Sequence, residues 1–176
     1  LKKGDLLKSV RKTTGEDDII IATKNGQSIR FKENQIRAMG RQAAGIRSIR
    51  LKKGDEVVGM DVVESQKSKV KNQKLENDYF LVLSENGYGK RTDVKEYRVQ
   101  SRGGSGIKTA NVTQKIGKLA YVKVLAGDEE DLIVISRKGQ VIRTAIASIP
   151  KISRSTQGVR IMRLDEGDKV VSAACL

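Results

Sequence analysis

Glycines and basic side chains recur three times in this sequence with identical internal spacing, and together they have the chemistry for gripping phosphate. Gly26, Arg30, Arg41, Gly45 and Arg47 return as Gly87, Arg91, Arg102, Gly106 and Lys108, then as Gly139, Arg143, Arg154, Gly158 and Arg160. Arginine offers a planar fork of donors that matches phosphate oxygens, and glycine lets backbone N–H groups approach an anion closely. The densest instance is Gln100, Ser101, Arg102, Gly103, Gly104, Ser105 and Gly106. Its counterparts run from Met39 to Gly45 and from Ile152 to Gly158, each with arginine in third place. One such loop alone is equally well a turn that needs positive φ. Repetition favours phosphate, and the expected track is Arg41, Arg47, Arg102, Lys108, Arg154 and Arg160. Arg30, Arg91 and Arg143 form a second group, for which pairing with an acidic neighbour to brace the fold stays an open alternative.

Composition agrees on the partner's charge. Thirty-five Lys and Arg against 21 Asp and Glu leave a formal charge of +14, a field that favours a polyanion. Nucleic acid is the leading partner. An anionic membrane surface is disfavoured because no basic amphipathic helix is visible, and no apolar run reaches the roughly 18 residues of a membrane span. The chain has no His and a single Cys, Cys175, so His acid–base work, Cys–His nucleophiles and Cys/His zinc sites are excluded within it. Cys175 reads as a small buried hydrophobe, and a single Cys suits a reducing cytoplasm. The acidic clusters Glu16–Asp17–Asp18 and Asp128–Glu129–Glu130–Asp131 lack spaced ligand partners and read as solvated turns rather than divalent-metal sites. Aromatics are 3% of residues, too few for the stacking platforms of single-strand binders, so duplex backbone is the better fit.

The elements that must position these residues are strands. Apolar, β-rich runs at Ile19–Ala22, Tyr79–Leu83 and Leu132–Ile135 end in Asn25–Gly26, Asn86–Gly87 and Lys138–Gly139, where tight hairpins are cheap. Return strands follow at Ser28–Phe31, Gly89–Thr92 and Val141–Thr144. After the second glycine column a third strand is expected at Ile46–Leu51, Ile107–Val112 and Val159–Leu164, and a fourth at Val57–Val63, Leu119–Leu125 and Val170–Leu176. Helical periodicity is weak, and 17 glycines with Pro150 argue against long helices. Four short strands per repeat signify a blade, and blades stack radially to protect their edges.

The expected fold is therefore all-β, with about three four-stranded blades plus the tail of a preceding one. Residues 1–15 read as that tail, because Leu1 to Asp5 duplicate Leu51 to Asp55. Blades then span 16–63, 74–126 and 127–176, with a polar linker at 64–73. The middle repeat departs by a short insertion before Gly117 and Lys118. With Leu1 rather than Met at its start, and no signal-like opening, the chain reads as a piece of a longer array whose other blades lie upstream.

At this point the residues resemble a known family. Arg37 to Val63, Glu96 to Thr113, Asp131 to Thr144 and Ser155 to Leu164 are similar to the C-terminal domain of bacterial DNA gyrase A subunits, and the likeness runs over essentially the whole chain. The resemblance implies a β-pinwheel, a ring or spiral of blades whose basic outer rim binds and bends duplex DNA. The family's hallmark heptapeptide is QRRGGKG; Gln100 to Gly106 departs from it at Ser101 and Ser105. That segment therefore reads as a degenerate copy, with the authentic box expected upstream of Leu1.

The resemblance further implies non-specific DNA wrapping in support of ATP-dependent negative supercoiling by a type IIA topoisomerase. It implies the company of the gyrase B subunit, with the rest of the A subunit, in an A2B2 complex in the bacterial cytoplasm at the nucleoid. The catalytic tyrosine, ATP and magnesium belong to that assembly, and no cofactor, metal or catalytic residue is expected here. Two alternatives stay open: the related C-terminal domain of the A-type subunit of topoisomerase IV, and a propeller-like scaffold for an acidic protein partner.

Overall fold

A computed structural model describes residues 4–65, 78–127 and 130–176. The expected linker at 64–73 lies outside these residues beyond Ser65. Each repeat opens with a hairpin: β1 (Asp18–Thr23) pairs with β2 (Gln27–Lys32), β4 (Tyr79–Ser84) with β5 (Tyr88–Asp93), and β8 (Asp131–Ser136) with β9 (Val141–Ala145). The three turns are alike. The Gly26, Gly87 and Gly139 amides donate to the Thr23, Ser84 and Ser136 carbonyls at 3.0, 3.0 and 3.1 Å. The last strand of each repeat, β3 (Val57–Val63), β7 (Leu119–Leu125) or β11 (Val170–Cys175), pairs with the other edge of the first strand, and each ladder carries one irregularity that adds local twist.

The third strand leaves its own repeat. β6 (Ile107–Lys108) pairs with β2 of the preceding repeat, and β10 (Val159–Arg160) pairs with β5. The sheets therefore run β3-β1-β2-β6, β10-β5-β4-β7 and β11-β8-β9. The repeat limits expected from the sequence follow the covalent chain, whereas each four-stranded sheet takes its outer strand from the next repeat. These strands are also shorter than expected. Beyond Lys108 the Thr109 and Ala110 amides both turn onto the Gly26 carbonyl, and Ile161 and Met162 do the same at Gly87.

Ile46–Leu51, expected as a strand, is not one. Its counterparts pair with a return strand one repeat earlier, and among the described residues no such strand precedes it. It is held instead by the second repeat: Gly103 N donates to Ser48 O, and Arg50 N donates to Gly104 O, both at 2.8 Å. Residues 4–15, read as the tail of an earlier blade, likewise contain no strand. They lie along β3, where Arg11 Nε reaches Asp61 Oδ1 at 2.7 Å.

Two cores join the three sheets. Side chains alternate faces along a strand, so Phe80 and Val82 of β4 point to a first core with Ile20, Val63, Tyr97 and Val124. Leu81 and Leu83 point to a second core with Leu132, Val134, Ile149 and Met162. This explains the unbroken apolar run at Tyr79–Leu83, which is buried on both faces. Phe80 and Tyr97 meet edge to face, centroids 5.4 Å apart. β7 packs between β3 and β11, so these strands form one flank and β6 and β10 the opposite, outer one.

Candidate nucleic-acid interface

The outer flank carries the last basic column. Lys108 and Arg160 sit on β6 and β10, and Arg47 occupies the same register position in the first repeat; all three are exposed. The Arg47 and Lys108 side chains make no hydrogen bond or ion pair among the described residues. Arg160 is held by one neighbour, donating from Nη2 to the Tyr88 hydroxyl at 2.9 Å, with its guanidinium carbon 5.5 Å from the centroid of that ring. Arg41 is exposed on its loop as well.

Arg102 and Arg154 are placed differently. Both are half-buried, and each reaches back to the repeat before it. Arg102 Nη1 donates to the Arg47 carbonyl, and Arg154 Nη1 donates to the equivalent Lys108 carbonyl, the latter at 2.8 Å. Their backbone amides donate to equivalent side chains too, Arg102 N to Gln35 Oε1 at 2.7 Å and Arg154 N to Glu96 Oε2 at 3.2 Å. The loop Gln100 to Gly106 is engaged in the same way. The amides of Gln100, Arg102 and Gly103 are committed to Arg30 O, Gln35 Oε1 and Ser48 O. The arginine-and-glycine loops thus staple one repeat to the previous one, and those donors are not pointed at an external anion. The box-like residues Ser101 and Ser105 remain exposed at the loop's tip.

The second expected group is paired within the chain, Arg30 and Arg91 in the interior and Arg143 at the surface. Arg30 pairs with buried Asp18 at 2.7 Å and donates to the Val94 and Tyr97 carbonyls. Arg91 is 9% exposed and donates to the Ile149 and Ala147 carbonyls at 2.8 and 2.9 Å, with burial lowering its pKa from the usual arginine range. Arg143 ion-pairs with Asp131. The first acidic cluster is similarly occupied: Asp17 accepts from Thr14 and Ser65, and Asp18 from Arg30 and Lys32. Of the second cluster, Asp128 and Glu129 lie outside the described residues.

Sequence reasoning missed Lys90. It is wholly buried, and its ammonium donates to the carbonyls of Ser153, Arg154 and Thr156 at 2.7, 2.6 and 3.1 Å and to Thr156 Oγ1 at 3.1 Å. Burial pushes its pKa down to about 8. The register equivalents are Ile29 and Ile142, so a lysine where the other two repeats carry isoleucine is the available signal.

Comparison with known proteins agrees with this repeat. A family profile described as "DNA gyrase C-terminal domain, beta-propeller" matches residues 17–64, 78–126 and 130–176. The DNA gyrase A subunit of Staphylococcus epidermidis is 44% identical over 98% of this chain, and that of Staphylococcus aureus 42%. The chain spans 18% of the length of these relatives. Among solved structures, a C-terminal domain of DNA topoisomerase IV superposes with TM-score 0.87 over 100% of this chain and 51% of that one, at 21% identity. A DNA gyrase A C-terminal domain gives 0.55 over 93% and 67%, at 20% identity. The E. coli ParC C-terminal domain gives 0.70 over 99% and 68%, at 16% identity, and these likenesses agree on the fold. With matched segments coinciding with the three repeats and whole-chain identity to gyrase A subunits, the chain belongs to the DNA gyrase A C-terminal domain family.

Proposed function

We propose that this chain binds duplex DNA non-specifically along its outer flank and wraps it, as part of a DNA gyrase A subunit. The carrying observation is the equivalent, exposed placement of Arg47, Lys108 and Arg160 in a chain of charge +14. Cations in a curved row neutralise successive phosphates and release counterions whatever the base sequence. Bending a 20–30 bp site by 40–90° costs on the order of 1–6 kcal/mol, which several such contacts offset. Wrapping in turn serves negative supercoiling by a type IIA topoisomerase. In that assembly, the gyrase B subunit together with the rest of the A subunit supplies the ATP and magnesium chemistry in the bacterial cytoplasm.

The test is a topology assay: nicked plasmid is incubated with the chain and ligated, and the linking-number change is read. A salt-sensitive shift is expected, and its loss in the triple variant Arg47→Ala/Lys108→Ala/Arg160→Ala. Duplex affinity without a linking-number change would remove wrapping and leave binding. That outcome suits the second reading, a C-terminal domain of the topoisomerase IV type. No affinity for duplex at low salt would favour a scaffold for an acidic protein.

A further inference from the structure

The outer flank is not uniform from one junction to the next. In the ladders, Lys108 faces Gln27 at the first junction, whereas Arg160 faces Tyr88 at the second. The Tyr88 ring that orients Arg160 also carries the Lys115 ammonium, 5.6 Å from its centroid. Lys115 stands on the insertion peculiar to the middle repeat. That loop closes through Gly117 N to Thr113 O at 2.9 Å, and Asn86 Nδ2 pins it by donating to the Gln114 and Lys115 carbonyls at 3.1 and 3.0 Å.

Tyr88, Lys115, Arg160 and Arg163 line one cleft of about 480 Å³ between the second and third repeats. Arg163 is exposed and makes no side-chain hydrogen bond or ion pair among the described residues. The other charged lining groups are already committed. Asp168 accepts from Ser136 Oγ and from the Lys138 and Lys169 amides, Asp165 accepts from Gln140 Nε2, and Lys169 is tied to Asn86 and Glu85. Lys115, Arg160 and Arg163 line the cleft without an ion pair among the described residues.

We propose that this cleft is a discrete phosphate site that grips the duplex backbone, making the second junction the anchor of the outer flank and the first a passing contact. The proposal rests on the duplex-binding reading above. Tyr88 fixes the guanidinium plane of Arg160 in advance, so less ordering remains when a phosphate arrives. The concave wall concentrates the positive potential, which an isolated exposed lysine such as Lys108 does not achieve.

The test compares the full chain with Lys115→Ala/Arg163→Ala and with a charge-matched control, Lys52→Ala/Lys53→Ala, which alters two exposed lysines at the Gly54 turn. Duplex affinity is measured across a salt series, and inorganic pyrophosphate binding by calorimetry. The cleft variant is expected to lose about tenfold or more in affinity and to lower the salt slope by about two, against a minor change in the control. Equal losses in the two variants, with the wild type binding normally, sink the cleft alone. A wild type without duplex affinity brings down the underlying reading as well. Tight pyrophosphate binding that duplex fails to displace would reassign the cleft to a free polyphosphate and overturn the anchor.

Discussion

Arg102 and Arg154 differ from Arg47, Lys108 and Arg160 in what their donors already hold. Replacing Arg102 or Arg154 with alanine removes a donor between repeats, and each change is expected to lower stability by about 1–2 kcal/mol in denaturant melts. The salt slope of duplex binding should stay as it is. Lys108→Ala and Arg160→Ala should behave in reverse, each lowering the slope by about one with little effect on melting. Lys90 supplies a pH prediction. Its folded pKa of about 8 lies below its ordinary 10.5, so between these values the unfolded chain holds a proton that the folded one has released. Stability therefore rises from pH 8 to 10.5 and is flat with respect to this group below 8. The difference between the wild type and Lys90→Met should trace that rise in thermal melts at stepped pH; a constant difference across the window contradicts it.

At the scale of elements, the glycine columns mark where the exchanged strand crosses. Gly106 has φ +74°, and a methyl there would sit 2.5 Å from the Ser28 carbonyl oxygen of the neighbouring repeat; at Gly158 the Gly89 carbonyl is 2.6 Å away. Gly45, at φ +79°, meets nothing within 4 Å. Gly106→Ala should thus cost more than the roughly 1–2 kcal/mol of left-handed strain that Gly45→Ala costs, as read from denaturant midpoints. The same comparison shows what the sequence conceals. Hairpins and final strands were legible because alternation and Asn–Gly turns are local signals. The destination of Ile107–Lys108 was not, because pairing with Gln27 and Ser28 is a long-range choice that leaves the local pattern unchanged. Likewise an arginine beside a glycine loop reads identically whether it faces a phosphate or a carbonyl, and only the contacts of Arg102 Nη1 with the Arg47 carbonyl and of Arg154 Nη1 with the Lys108 carbonyl separate the two.

For the molecule as a whole, two cores share β4, and the crossing strands bind each sheet to the next. Unfolding should therefore be one transition. Tyr97 lies in the first core and Tyr121 packs on the second, and tyrosine-specific probes at the two are expected to report the same midpoint. Resolved midpoints would mean that the repeats melt separately. Borrowing an edge from the following repeat also orders events in time. On the ribosome, the first sheet lacks its outer strand until Ile107 and Lys108 have emerged, and the second waits for Val159 and Arg160. Each four-stranded sheet is thus finished one repeat behind its own synthesis, and the outer-flank cations Lys108 and Arg160 come into place with the borrowed strands. Protection of the β2 edge amides in stalled nascent chains should appear only once the chain extends past Lys108.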